Sequence, residues 1–142
     1  CFTTNINEEI LLKTDISDLE SFFKLILIPY LTNNSYFEIN REYKFGEYGH
    51  FYDISTYETY RDILGIDNFL KISNFLKKIA SGKKFRPNDL CYCGSSKKIK
   101  RCSNHEKSYR SIKKLSCERL NHDSEELLKT RNELLKTKNK SA

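Results

Sequence analysis

The chain has 142 residues, 38% hydrophobic and 31% charged, which supports one modest domain or a small domain plus an appended module. No apolar run approaches the ~20 residues of a bilayer-spanning helix; the longest, residues 25–31, is short and contains Pro29, so a transmembrane reading is excluded. The net charge of +6 hides an asymmetry: residues 1–82 carry 8 basic and 12 acidic side chains (−4), residues 83–119 carry 12 and 3 (+9), and residues 120–142 add +1.

A basic stretch as dense as 83–119 is either a solvated face or a surface that attracts an anionic partner. The chain opens on Cys1 and contains no Met, which points to a fragment of a longer protein or a processed piece. Its first residues lack a basic segment leading into an apolar one, so no secretory leader is expected and the expected location is cytoplasmic.

In chain order, residues 1–6 are expected as a short strand. Residues 17–31 have helical spacing, with Leu19, Phe22, Phe23, Ile26 and Tyr30 on one face and Ser17 with Glu20 as a capping box. Pro29 lacks an N–H and is expected to bend or end that helix. Asn33, Asn34 and Ser35 are expected to turn, and residues 36–45, rich in aromatics and partly alternating, to form a strand or hairpin arm. Gly46 and Gly49 bracket a loop holding His50. Helices are expected at 56–64, ending on Gly65, and at 67–80, with Phe69, Leu70, Ile72, Phe75, Leu76 and Ile79 apolar.

Residues 86–89 form an extended, turn-prone lead into a cysteine cluster. A basic helix is expected at 106–120, then a final helix capped by Asp123 or Ser124 and running to about residue 138. Its sequence repeats once at a seven-residue interval, from Glu126 to Asn132 and from Glu133 to Asn139. Two heptads do not make a coiled coil, and leucines packed on the body or a partner are expected. The fold class is therefore mainly α with a short β element: an N-terminal domain at 1–82, a knuckle at 83–106 and a basic helical tail at 107–142.

Three of the five cysteines fall together, Cys91-Tyr92-Cys93 and then Cys102, with His105 three residues beyond. An odd cysteine count and strained C-x-C geometry argue against disulfides. Zinc explains the cluster: it takes four ligands in a tetrahedron, thiolates first and imidazole as companion. Gly94-Ser95-Ser96 can turn the chain back toward the ion, and Lys97, Lys98, Lys100 and Arg101 offset the thiolate charge. Cys91, Cys93, Cys102 and His105 are the expected ligands of one structural Zn²⁺. Cys117 is a weaker fourth-ligand candidate, more simply a small apolar helix residue. His122 lies outside the cluster.

Residues 86–102, running Arg-Pro-Asn-Asp-Leu-Cys-Tyr-Cys-Gly-Ser-Ser-Lys-Lys-Ile-Lys-Arg-Cys, resemble the SEC-C motif, named from the zinc-binding tail of the bacterial translocation motor SecA. That resemblance implies a metal-bound module contacting a protein partner. Two positions depart from the pattern: Ser96 stands where the family usually has a second glycine, and Ser103 occupies the fourth-ligand position. His105 is the nearest substitute.

A fainter resemblance links the N-terminal half to bacterial relatives of ubiquitin-conjugating enzymes. It rests on Cys1-Phe2, the capped helix after Thr14-Asp15-Ile16-Ser17, and the loop from Gly46 to His50. It implies Cys1 as a thioester-forming nucleophile and His50 as an orienting group. No phosphate-binding glycine loop, H-E-x-x-H or G-x-S-x-G sequence is present. The expected role is binding rather than catalysis. A protein is the expected partner, with nucleic acid or anionic lipid as alternatives for the basic stretch and Phe85, Tyr92 and Tyr109 as its aromatic side chains.

Overall fold

The computed structural model describes residues 4–47, 52–102 and 104–140, and these form helices joined by short loops. Helix α1 (Asn5–Thr14) is capped by Thr4, whose Oγ1 accepts a hydrogen bond from Asn7 N at 3.3 Å. Ile6 and Ile10, four apart, bury against the core, and that helical spacing prevails over the strand expected at 1–6. Residues 1–3 of that expectation lie outside the described residues.

Helix α2 (Leu19–Phe22) begins one residue later than the sequence suggests. Asp18 accepts from Ser21 N at 2.8 Å, and Ser21 Oγ accepts from Asp18 N at 3.2 Å, so the capping box is Asp18/Ser21 rather than Ser17/Glu20. The hydrogen bond from the Ser21 backbone holds the Asp18 carboxyl below its ordinary pKa. A π-helical turn, Phe23–Leu27, follows and leads into α3 (Ile28–Asn40). Pro29 therefore does not end the helix: it follows the π-turn directly, as the second residue of α3.

The turn expected at 33–35 and the first half of the strand expected at 36–45 are helical instead, and residues 41–45 are bend and turn. Their asparagines bond in ways compatible with a helix. Asn34 and Asn40 donate to the carbonyls of Tyr30 and Tyr36, each at 3.0 Å, while Asn33 grips the returning loop through Phe45 N at 3.0 Å. Arg41, in the left-handed region at φ 58°, ends α3. Among the described residues no strand forms; the β element reduces to one bridge, Leu90 to Lys98.

Helices α4 (Tyr52–Leu64) and α5 (Phe69–Ala80) end where expected, but α4 begins four residues earlier and α5 two residues later, behind Asn68, which caps it by accepting from Lys71 N at 3.0 Å. The basic helix expected at 106–120 is two pieces. Helix α6 (His105–Ile112) stops, and α7 (Cys117–Lys140) starts behind Ser116, whose Oγ accepts from Arg119 N at 3.1 Å. Asp123 and Ser124 are thus interior to α7 and fully buried, not caps. Asp123 accepts from Tyr60 Oη and from Arg119 Nε, both at 2.8 Å, and Ser73 Oγ donates to the Ser124 carbonyl at 2.9 Å.

The core lies between α5 and α7, with α4, α1 and α6 around them. Ile72, Phe75, Leu76 and Ile79 of α5 meet Leu120 and Leu127 of α7, together with Tyr60, Leu64, Ile6, Ile10 and Ile112. Burying each such side chain contributes about 1.5–3 kcal/mol before the entropy of ordering is subtracted. Among the described residues, no helix is long and apolar enough to cross a membrane.

Candidate metal centre

The cluster is built on a compact loop between α5 and α6. Asp89 caps its start by accepting from Arg86 N at 2.8 Å. Two short stretches then run antiparallel, with Cys91 N donating to Lys97 O at 2.8 Å, Ile99 N to Asp89 O at 3.0 Å and Lys100 N to Pro87 O at 3.0 Å. The reversal between them needs two left-handed residues, Gly94 at φ 83° and Ser96 at φ 59°. Glycine adopts that conformation freely; serine does so at a cost of about 1 kcal/mol. A turn closed by Gly94 N donating to Cys91 O at 3.2 Å holds Cys91 and Cys93 beside each other.

A 3₁₀ turn, Ile99–Arg101, brings Cys102 back, and His105 N donates to Cys102 O at 3.1 Å. His105 is the first residue of α6, which places the imidazole at the head of that helix. Cys91 Sγ lies 3.1 Å from His105 Nδ1, Cys102 Sγ lies 3.2 Å from the same nitrogen, and Cys93 Sγ lies 3.6 Å from Cys102 Sγ. One ligand atom from each of the four residues falls within 4.8 Å of all the others, and the group could hold a metal ion.

The donor set suits zinc. With bonds of ~2.3 Å to sulfur and ~2.0 Å to nitrogen, a zinc tetrahedron has edges of roughly 3.5–3.8 Å. Three of the six separations, 3.1 to 3.6 Å, sit at or just inside those edges, and the others fall within 4.8 Å. Burial lowers the His105 pKa, favouring the neutral imidazole a metal needs. Burial also pushes the Cys91 thiol up to about 12, reinforced by the neighbouring Cys93 and Cys102 sulfurs. At Cys93 burial acts in the same upward direction, yet hydrogen bonds from the Ser95 hydroxyl and backbone outweigh it and bring the thiol to about 7. Four protein donors leave no open position for water, so such a site is structural.

Three further residues hold the ligands in place and were not singled out for it by the sequence. Tyr92 donates to the His105 carbonyl at 3.2 Å, and its ring packs 4.1 Å from that of Phe75 on α5. Phe85 rests on Phe75 and Tyr109, and its N–H donates to Tyr109 Oη at 3.1 Å. Gly65, just past α4, faces the His105 ring. Spacing flagged Gly65 only as a helix stop, because nothing local links it to a residue forty positions later. The aromatic residues Phe85, Tyr92 and Tyr109 thus pack inward, and Tyr109 is buried.

Cys117 is exposed at the start of α7 and outside the metal-binding group. His122 Nδ1 lies 3.3 Å from Asp123 Oδ1, also away from it. Cys1, His50 and Ser103 lie outside the described residues. No family model, curated protein or solved structure matches this chain.

Proposed function

We infer that Cys91, Cys93, Cys102 and His105 bind one structural zinc ion in a knuckle of the SEC-C type, and that this knuckle presents a cationic surface to a protein partner. The convergence of three sulfurs and one imidazole nitrogen within 4.8 Å carries the metal reading. The metal would organise residues 83–106 as a unit joined to the helical body by Tyr92 and Phe85.

Lys83, Lys84, Arg86, Lys97, Lys98, Lys100 and Arg101 are all exposed around the cluster, and the apolar side chain of Leu90 is 68% exposed among them. An exposed leucine set in cations fits a peptide carrying both acidic and apolar side chains better than it fits a phosphate backbone. The inward packing of Phe85, Tyr92 and Tyr109 supports the same preference, since base stacking needs open rings. Elemental analysis of protein purified without chelator tests the metal, with about one zinc per chain expected. A pull-down comparing the native chain with Leu90→Asp, and with Lys97, Lys98, Lys100 and Arg101 all changed to Glu, tests the surface. Partners captured equally by all three proteins would remove this face from the interaction.

A further inference from the structure

The helix running from Leu19 to Asn40 buries Ile26 but contributes no residue to the main apolar cluster. Among the described residues, none of its positions comes within 8 Å, Cα to Cα, of another helix. It is nonetheless one of the most apolar parts of the chain. Leu19, Phe23, Ile28, Leu31 and Ile39 are 70%, 43%, 53%, 52% and 81% exposed, and Leu25, half a turn from Phe23, is 43% exposed on the other side. A monomer's surface seldom carries so many large apolar side chains on one element.

Their spacing makes them a stripe. Leu19 to Phe23 and Ile28 to Leu31 are ordinary helical steps, and Ile39 follows Leu31 by eight residues with exposed Ser35 between. Phe23 to Ile28 is a step of five. In an uninterrupted α-helix that step would turn Ile28 about 140° from Phe23. The π-turn Phe23–Leu27 accommodates the additional residue and returns Ile28 toward the same face. The irregularity therefore keeps these exposed apolar side chains toward one face of the helix.

We propose that this stripe is a dimer interface on which a second copy of the chain packs antiparallel. Together the five side chains expose roughly 600 Å² at about 200 Å² for each large apolar group, so two copies would bury roughly 1,200 Å², the lower edge of stable interfaces. A twofold axis beside residue 29 sets Leu19 opposite Ile39 and Phe23 opposite Ser35, a large ring facing a small side chain, as an isologous contact requires. Charge offers little opposition: the helix carries only Glu20, Lys24 and Glu38, and Glu20 is held by Lys24 at 2.5 Å.

Light scattering or sedimentation equilibrium on the whole chain at micromolar concentrations tests this. The expected mass is twice the 16.8 kDa of one chain, falling to one chain in Phe23→Glu/Leu31→Glu with helical circular dichroism unchanged. Both residues are only about half covered, and the unchanged circular dichroism separates loss of the dimer from loss of the fold. The proposal fails if the native chain has the mass of one copy, if the double variant remains dimeric, or if the native chain is monomeric and binds phosphatidylcholine vesicles through this stripe.

Discussion

The imidazole of His105 lies against the bare backbone of Gly65: a methyl group built on that glycine would stand 3.2 Å from His105 Nε2. Gly65 is also left-handed, at φ 63°, where it ends α4. One residue thus terminates a helix and makes room for the ring whose other nitrogen meets two cysteine sulfurs. Gly65→Ala should therefore cost about 1 kcal/mol in backbone strain and should also displace the imidazole, weakening zinc affinity. Gly82→Ala is the control. It carries similar strain, at φ 83°, with nothing within 4 Å of the added methyl, so it should lower stability and leave zinc affinity unchanged. Thermal melting and chelator competition on both variants separate the two effects. Equal affinity losses would show that the contact with His105 is irrelevant.

Ser96 makes the opposite prediction. It holds a left-handed conformation, φ 59°, at the reversal of the knuckle, where L side chains are disfavoured. Ser96→Gly should stabilise the metal-bound knuckle by about 0.5–1 kcal/mol, the relief of strain less the added freedom of the unfolded chain. Since the knuckle is expected to fold with its metal, the gain should read out as zinc affinity tighter by roughly two- to fivefold in chelator competition.

Proton competition gives a third test. Metal uptake displaces protons from thiols, so affinity should fall as pH falls. The Cys91 thiol, pushed up to about 12, keeps its proton in the metal-free protein at any ordinary pH, whereas Cys93 loses its proton near 7. Binding therefore releases the Cys93 proton only below about pH 7. The plot of log affinity against pH should steepen by about one unit there. Chelator competition from pH 6 to 8 checks this, and a constant slope through 7 would contradict it.

The donor set was legible because its chemistry is local: C-x-C, a short basic turn, then Cys and His fit few explanations besides a metal. The apolar face of α5 was equally legible, since Ile72, Phe75, Leu76 and Ile79 carry helical spacing without interruption. The matching face of α7 was not. Its buried positions include Asp123, Ser124 and Thr130, polar residues that hydropathy assigns to caps or surface; Asp123 and Ser124 are met by the distant Tyr60 and Ser73, and Thr130 bonds Glu126 O within the helix. The long helix through Pro29 was missed for a different reason. A π-turn breaks the 3.6-residue period, and asparagines that bond within the helix or to its loop look like turn formers in sequence.

The buried acid on α7 should matter to stability and not to the metal. Tyr60→Phe removes one hydrogen bond to Asp123 and leaves the one from Arg119, a cost of about 1–2 kcal/mol. Asp123→Ala also strips Arg119 of a carboxylate 2.8 Å away and should cost about 3 kcal/mol or more. Urea unfolding measures both. Zinc affinity should be unchanged in each variant, because neither residue touches the cluster.

Metal removal tests how far the ion's influence reaches. The loop carrying Cys91, Cys93 and Cys102 has a small apolar cluster of its own, built from those cysteines and Ile99, too little to hold its reversals without the ion. The helical body has the larger cluster of α1, α4, α5, α6 and α7 residues, none of whose central members is a proposed ligand. Chelation, or Cys91→Ser, should therefore remove hydrogen-exchange protection across residues 86–105 and leave α5 and the first half of α7 protected. Helical circular dichroism should fall only slightly, because the loop contributes a single 3₁₀ turn. His105→Ala should weaken zinc binding less than any cysteine change, since three thiolates remain. The most sensitive boundary is Phe75, whose ring touches Phe85, Tyr92 and Tyr109. Amides beside it should lose part of their protection as Tyr92 swings free, while those near Leu120 and Leu127 should not. Loss of protection throughout α5 and α7 would instead mean that the metal sustains the entire core.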